Sequence, residues 1–414
     1  MLGLASGLRK AGHSVDLVVT SLDNRSYADT CRLMSIGYRQ VPEQVGLDLQ
    51  AFARQTFRMN GLQWLNALLA EGFFPYQDLL YQISLELVAD YDLVVGHNFL
   101  FPLKLAARQA GKPHVSVTLC HVAIPSKRLP PFRFPNLGPM LNPMQWRLFN
   151  ALFDVYLKRD LGRLWRAHGQ RIDHGLFADL LTSDHLDLVA VDPVFCPDAD
   201  DWPAPHQVCG FLNLEDDAQA WTMPAEMESF LEEGHPPVYF SFGSLQQAVP
   251  EWAMDLFMET VRRVGCRAFI QTSSPRFPAG VRQGDVLFVG CHPHQPVFER
   301  CAAVVHHGGA GTTHAATRAG CPSVVVPFMD EQLFWQAIAT DWTGNEPVAG
   351  EEGECTRSGT AARGDSRGTR LKGSCSQLPA AHAGNRWRGA RRGPDGRQAA
   401  ESEACAATIS IPFP

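Results

Sequence analysis

The chain has 414 residues and 45% hydrophobic residues, enough apolar material for two domains with separate cores. Its net charge is −7, and its basic residues form no stripe, so the composition excludes a nucleic-acid-binding protein. No apolar run reaches the roughly eighteen residues of a membrane span, and the sequence opens without the pattern of a secretory signal. The 11 cysteines are scattered and form no Cys-x-x-Cys pair, which is typical of reduced thiols, so we expect a cytoplasmic protein.

Helices and strands alternate along the first half of the chain, which we predict to be one domain, residues 1–210. This alternation predicts a parallel sheet flanked by helices. Such a sheet normally opens on a strand, whereas this sequence opens on a helix, so we expect the first strand to be missing. The predicted elements are a helix at 1–10, a strand at 14–20, a strand at 91–96, a helix at 100–110, a strand at 113–119, a helix at 144–171 and a strand at 186–191.

A second α/β domain is predicted at residues 236–342, after an interdomain linker at 211–235. The stretch leading into the linker is rich in proline, aspartate and tryptophan. The predicted elements of this domain are strands at 238–242, 267–272, 286–289, 302–305 and 323–326, a helix at 251–264 and a helical turn at 296–300.

Residues 343–414 differ in composition from the rest of the chain. Large aliphatic residues are nearly absent up to residue 408, and neither a 3.6-residue nor a 2-residue period is visible. Such a segment buries too little apolar surface to offset the entropy lost on ordering, so we predict a disordered tail of low order. A shifted reading frame and an acquired disordered tail are the two explanations that the composition leaves open.

A glycine-rich turn between a strand and a helix is the most informative motif. It spans His306 to Thr313 and follows the strand predicted at 302–305. Unpaired N–H groups and the positive end of the helix dipole make such a turn a binding site for phosphate. Glycines let a ligand approach the backbone closely, while histidine and threonine add side-chain donors. A tight strand-to-helix connection without a ligand is the alternative.

The segments on either side extend this motif into a family signature. Cys291 to Phe298 precede the turn, and Pro327 to Gln332 follow it. In this order and spacing, the three segments resemble the donor-binding signature of family 1 glycosyltransferases. The nearer likeness is to the bacterial branch, which glycosylates macrolides, glycopeptides and sterols. The resemblance implies an α/β protein of the GT-B fold, with two Rossmann-like domains facing each other across a cleft and the second domain incomplete at its C-terminal end.

The resemblance also implies a role for each residue of the donor site. His307 would donate to a diphosphate oxygen, and Ser244 would contact the diphosphate from the opposite side. Glu331 and Gln332 match the pair that binds sugar hydroxyls. The phosphate loop and the position beside the nucleobase would be formed by Gly309, Gly311, Thr312, Thr313, Pro293 and His294. The alternatives are that Ser244 caps a turn and that Glu331 and Gln332 form an exposed first turn of a helix.

The implied reaction is an inverting transfer of a hexose from a UDP- or dTDP-sugar, with no cofactor and no metal ion. The helix dipole and His307 would stabilise the leaving diphosphate, and no Asp-x-Asp motif lies in the signature. The expected partners are the nucleotide-sugar donor and a lipophilic acceptor that carries a hydroxyl group, with no nucleic acid. We expect no transmembrane segment and at most a weak association with membranes.

The family's catalytic base falls on a loop that would precede Met1. His97, after the strand predicted at 91–96, is the candidate base within the chain. Because the opening strand of the first domain and the closing helices of the second would be missing, we expect the chain as written to be poorly soluble and to have little or no activity. Two other functions stay open: a remnant that binds a nucleotide sugar without turnover, and an epimerase or GlcNAc transferase of the same fold.

Overall fold

The computed structural model describes residues 1–21, 26–47, 51–52, 55, 61–169, 175, 179, 181–196, 199–214, 221–242, 251–327, 330–343 and 405–410. The chain forms two compact units. The first contains residues 1–48, 62–214 and 402–413, and the second contains residues 49–61, 215–401 and 414. Each unit is built on its own sheet of mostly parallel strands.

The described strands, numbered in chain order, are β1 (Ser14–Val19), β2 (Gly37–Gln40), β3 (Leu93–His97), β4 (His114–Thr118), β5 (Leu186–Val189), β6 (His206–Val208), β7 (Val238–Ser241), β8 (Ala268–Gln271), β9 (Arg282–Gln283), β10 (Val286–Val289), β11 (Ala303–His306), β12 (Ser323–Val325) and β13 (Cys405–Ser410). The described α-helices are α1 (Leu2–Lys10), α2 (Ala28–Leu33), α3 (Gly61–Leu68), α4 (Gln77–Asp90), α5 (Phe101–Ala110), α6 (Asn142–Ala167), α7 (Ala225–Glu232), α8 (Glu251–Val264), α9 (His294–Phe298), α10 (Ala310–Arg318) and α11 (Asp330–Thr343).

The sheet of the first unit has seven strands in the order β2-β1-β13-β3-β4-β5-β6, and every pair is parallel. Helices α4 and α5 contribute Leu80, Leu87, Phe101 and Leu105 to one buried core. These residues recur at helical spacing, so each helix turns one apolar face inward. Helix α5 ends at Gly111, whose φ of 64° allows its N–H to bond back into the last turn.

The sheet of the second unit has six strands in the order β12-β11-β7-β8-β10-β9, all parallel except the β9–β10 pair. Its core strands are buried on both faces, as is typical of parallel sheets. Tyr239 and Phe269 pack into a cluster on one face, whereas Phe240 and Ile270 pack into a cluster on the other. The sequence prediction of α/β elements is confirmed here, and the bounds predicted for α8 and β10 match the structure.

One helix lies inside the segment predicted as the interdomain linker, residues 211–235. Helix α7 carries Met227, Phe230 and Leu231 on one face, and these side chains pack into the core of the second unit. Phe230 and Leu231 follow Met227 by three and four residues. This helical spacing is too short to identify a helix between prolines from the sequence.

A correction concerns the tail. Residues 405–410, predicted to have low order, form β13 at the centre of the first sheet. This strand pairs with β1 on one side and with β3 on the other, at the position where the sequence left a strand missing. The segment Cys-Ala-Ala-Thr-Ile-Ser has only two β-branched residues, too few to show a two-residue period. Its backbone N–H and C=O groups supply the pairing.

Within the described ranges, no helix combines the length and the apolar character that crossing a membrane requires.

Replacing Thr408 with proline tests the place of β13. Thr408 lies opposite both Leu17 and Val95, and proline removes the N–H that a central strand needs. We expect the free energy of unfolding of the first unit to fall by about 1–3 kcal/mol. Hydrogen exchange at the amides of β1 and β3 should become faster, while Thr408→Val, which keeps the N–H, should leave it slow. Unchanged exchange in the proline variant would show that another segment holds this position.

Candidate functional site

The candidate site lies at the carboxyl end of β11, where parallel α/β sheets place their ligands. Strand β11 ends at His306 and helix α10 begins at Ala310, so His307, Gly308 and Gly309 make the whole connection. Gly309 caps the helix with extended backbone, φ −65° and ψ 141°. The first N–H groups of α10 have no intrahelical acceptor, and the positive end of its dipole points out of this turn.

Gly308 fixes the position of the turn. Its φ is +91°, a conformation that side chains disfavour, and a Cβ there would lie 2.7 Å from Val325 Cγ1 and 3.0 Å from the carbonyl oxygen of Gln332. The turn is therefore pressed against β12 and the start of α11. Gly311 is different, because a Cβ at that position would meet nothing within 4 Å. The open side of the turn is therefore the side next to Gly311.

Two adjacent histidines form the floor of the turn. His306 is fully buried and its Nδ1 accepts a hydrogen bond of 3.1 Å from the Gly308 N–H. His307 is also buried, and its Nδ1 has no hydrogen-bond partner among the described residues. Burial lowers the pKa of His306 to about 3 and the pKa of His307 to about 4. Both rings are therefore neutral near pH 7, and His307 can offer a neutral N–H donor.

The threonines of α10 serve the helix itself. The Thr313 hydroxyl donates to the Gly309 carbonyl oxygen at 3.0 Å, and the Thr317 hydroxyl donates to the Thr313 carbonyl oxygen at 2.9 Å. Thr312 is buried in the first turn. The hydroxyl of Thr313 thus fastens the turn from inside, which differs from the ligand contact that the family resemblance implied for it.

The segment Cys291 to Phe298 reaches the same end of the sheet. Pro293 caps α9, and the ring of His294 stacks on Phe298 with centroids 4.9 Å apart. Burial lowers the pKa of His294 to about 4. The charge that His294 would carry also lowers the pKa of His307. That Pro293, His294 and His307 bind one ligand together stays a prediction.

His292 is held in one tautomer by two contacts. Its Nδ1 lies 3.1 Å from the carbonyl oxygen of Pro293, which can only accept, so Nδ1 carries the proton. Nε2 then accepts from the hydroxyl of Tyr239 at 2.9 Å. The ring of His292 therefore has a fixed orientation.

Trp221 is a site residue that the sequence analysis missed. Its ring lies 5.6 Å from that of His292, with an angle of 33° between the planes. Cys291, which begins the nearby signature segment, is an exposed thiol. Trp221 lies far from the signature along the chain, just before α7, so spacing alone gave no signal for it.

Gln332 and Glu331 lie in the first turn of α11. Gln332 is buried against Gly308, which excludes the alternative of an exposed first turn for this residue. Glu331 is half-buried. Burial raises the pKa of its carboxyl group, and a hydrogen bond with Trp335 opposes that rise. Gln332 thus lies beside the glycine-rich turn, in contact with Gly308.

One predicted site residue, His97, is not part of this cluster. Another, Ser244, lies outside the described residues. His97 belongs to the first unit, at the end of β3, where its Nδ1 accepts a hydrogen bond of 3.3 Å from the Phe99 N–H. Burial lowers the pKa of His97 to about 4. Within the described part of the chain, no three histidine, cysteine or acidic side chains are close enough to hold a metal ion.

The comparisons with known proteins point to one family. Residues 267–350, which include the turn, match the family described as Erythromycin biosynthesis protein CIII-like, C-terminal domain. A sterol 3-beta-glucosyltransferase of Arabidopsis thaliana is 36% identical over 39% of this chain and 25% of its own length. The vancomycin aglycone glucosyltransferase of Amycolatopsis orientalis is 31% identical over 56% of each chain. Over the aligned residues the chain is thus similar to glycosyltransferases.

The fold extends further than the sequence similarity. A crystal structure of the glycosyltransferase VinC in complex with dTDP superposes with a TM-score of 0.56 at 20% identity, covering 92% of this chain and 90% of the other. The GT-B fold class is confirmed by this likeness. The sequence alignments span only 25% and 56% of the length of the two curated relatives.

Two glycine variants test the packing of the turn. Gly308→Ala should lower the free energy of unfolding by about 1–3 kcal/mol, because alanine is strained at positive φ and its methyl group meets Val325 and Gln332. Gly311→Ala, three residues away in a helix with open space around it, should change the stability by less than about 1 kcal/mol and in the favourable direction. Denaturant titration of both variants measures the difference. Equal stabilities would contradict the close approach of the turn to α11.

Proposed function

We propose that the chain transfers a hexose, with inversion, from a UDP- or dTDP-sugar to a hydroxyl group of a lipophilic small molecule. One observation carries the proposal. The buried Nδ1 of His307 has no partner in the described structure, and it lies in the turn that opens helix α10. A buried polar atom without a partner costs free energy, and a diphosphate oxygen bound in this turn would satisfy it.

The donor diphosphate would bind on the free N–H groups at the start of α10. Those groups and the positive end of the helix dipole favour an anion without any metal ion. His307 adds one neutral N–H donor. As the bond between the anomeric carbon and the diphosphate oxygen breaks, negative charge grows on that oxygen, and these fixed donors stabilise it. The dTDP in the VinC complex supports a nucleoside diphosphate as the ligand class.

The sugar and the base would occupy opposite sides of this turn. The amide of Gln332 and the carboxylate of Glu331 provide acceptors and donors that suit hexose hydroxyls. Trp221 and His292 form an aromatic platform on which a uracil or thymine ring can stack. The names of the relatives, a sterol glucosyltransferase and a vancomycin aglycone glucosyltransferase, support a lipophilic or polycyclic acceptor.

Binding without turnover is the second candidate function, and the environment of His97 favours it. A catalytic base must take the proton of the acceptor hydroxyl, and a pKa near that of the solution serves this best. The pKa of His97 is lowered to about 4, and its Nδ1 already accepts from Phe99. Calorimetric binding of UDP and dTDP, together with an assay for UDP release, separates the two candidates, since a remnant binds without releasing product.

The cellular location is part of the same proposal. The described cysteines are free thiols, which fits a reducing compartment, and we place the protein in the cytoplasm. The nucleotide-sugar donor is its expected small-molecule partner.

His307→Ala tests the phosphate contact. We expect the affinity for UDP and dTDP to fall by about 1.5–3 kcal/mol, because the variant loses a hydrogen bond to a charged group. Isothermal titration calorimetry measures the affinity, and the unfolding midpoint of the ligand-free variant shows whether the fold is kept. His13→Ala, in an exposed turn of the first unit, is the control and should bind as the parent does. Unaltered affinity in His307→Ala would remove this residue from the site.

Gln332→Ala tests the sugar contact. The variant should bind free UDP as the parent does but should bind a UDP-hexose about tenfold more weakly, because the lost amide faces hydroxyls that UDP lacks. Gln336→Ala is the matched control, four residues along α11. Its amide donates to the Val325 carbonyl oxygen at 3.0 Å, so its loss should lower stability without separating the two ligands. Equal losses for UDP and UDP-hexose in Gln332→Ala would assign that residue a structural role.

A further inference from the structure

Helix α6 has two apolar faces, and only one of them is buried. Leu164 and Trp165 pack into the core of the first unit together with Phe149 and Phe153. The other face carries a row of exposed apolar side chains, which we name the outer stripe. Its members, with their exposed fractions, are Leu141 (45%), Met144 (61%), Leu148 (54%), Leu152 (56%) and Val155 (82%). Steps of three and four residues place all of them on one side of the helix.

The loop before α6 continues this surface. Leu129, Leu137 and Met140 are exposed by 42%, 51% and 88%. The loop is fastened to the helix, because the Asn142 amide donates to the carbonyl oxygen of Lys127 at 2.9 Å and the Trp146 indole donates to that of Leu129 at 2.9 Å. The loop and the outer stripe therefore form one held surface. Contiguous apolar surface of this kind marks an interaction site.

The charge of the same segment is opposite to that of the whole chain. Residues 126–167 contain eight lysines and arginines but only two aspartates, whereas the net charge of the chain is −7. Two of the arginines are paired with aspartates outside the segment, Arg128 with Asp200 and Arg163 with Asp78. Lys127, Arg133 and Arg147 have exposed side chains. The sequence analysis found no basic stripe because these residues are spread among apolar ones. An apolar row with basic neighbours is the pattern of a helix that lies in a lipid interface.

We propose that the outer stripe and its loop bind the surface of a membrane that contains anionic lipids. The apolar side chains would enter the boundary between headgroups and acyl chains, and the basic side chains would attract the negative surface. Helix α6 would lie in the plane of the interface, in agreement with the absence of a membrane-spanning helix from the described residues.

Charge argues against a second copy of this chain as the occupant. Two identical chains meet most often about a twofold axis, which places the same patch against itself. The positively charged segment of one chain would then face the same segment of the other chain. Repulsion between the like charges disfavours that contact. A surface of anionic headgroups has the complementary sign. The inference does not depend on the proposed transferase activity, since it rests on the first unit alone.

Co-sedimentation of the full chain with sucrose-loaded vesicles tests this inference. We expect binding to vesicles of phosphatidylcholine with phosphatidylglycerol to exceed binding to pure phosphatidylcholine at least about tenfold, and to weaken with added salt. The variant Met144→Gln/Leu148→Gln/Leu152→Gln should lose at least about tenfold of the binding to the anionic vesicles. Lys127→Glu/Arg147→Glu should remove the preference for the anionic vesicles.

The matched control makes the same change at exposed apolar residues elsewhere. Leu33, Leu256 and Val281 are exposed by 86%, 39% and 40%, and their replacement by glutamine should leave vesicle binding unchanged. Circular dichroism melting checks that each variant is folded. Failure of the parent chain to sediment, or equal sedimentation of the parent and the stripe variant, would overturn the inference. A parent dimer that becomes a monomer in the stripe variant would overturn it as well, because a second copy would then cover the stripe.

Discussion

The close contact between Gly308 and the start of helix α11 is the constraint on which the candidate site depends. No side chain fits between the phosphate turn and Gln332, so the N-terminus of α10, the ring of His307 and the first turn of α11 are held at fixed distances. The turn is only three residues long, and β11 and α10 are both packed into the unit. A ligand therefore meets donors that are already in position, which removes the entropic cost of ordering them on binding.

Burial of the same turn decides its electrostatics. His306 and His307 are buried and His294 is half-buried, and each has a lowered pKa because burial disfavours the charged form. Under the proposed function, the site would attract an anion through backbone N–H groups, a helix dipole and neutral imidazole donors. Such dipoles keep their strength where water is excluded, since no solvent competes for them. A cationic side chain in the same place would carry a desolvation cost that these neutral groups avoid.

Local patterns were enough to predict many of the helices and strands and the glycine-rich turn, whereas the remaining features depend on long-range contacts. The apolar residues of β10 and α8 indicate a strand and a helix, and the glycines beside His307 indicate a tight turn, without reference to the rest of the chain. The stacking of Trp221 on His292 and the contact of Gly308 with Gln332 join residues distant in sequence, so no spacing rule reveals them. The internal bond of Thr313 was missed because a hydroxyl at a helix start has two competing acceptors, the helix and a ligand. Strand β13 is held in position by backbone pairing, and its side-chain pattern does not predict a strand.

Helix α6 shows why a basic, apolar segment escapes an analysis based on composition. A helix that is apolar on two faces is usually buried on both, yet one face of α6 is exposed in a protein whose total charge is negative. The acidic residues elsewhere in the chain outweigh the local excess of positive charge, so the total composition does not show it. Phe149 faces the core but adjoins Leu148 in sequence, so the exposed apolar row is hard to separate from the buried one. The two surfaces that this chain offers, a donor site in the second unit and a lipid-facing helix in the first, would then serve one task under the proposed function. A lipophilic acceptor partitions into a bilayer, whereas a nucleotide sugar stays in water, and a transferase that joins them needs contact with both phases.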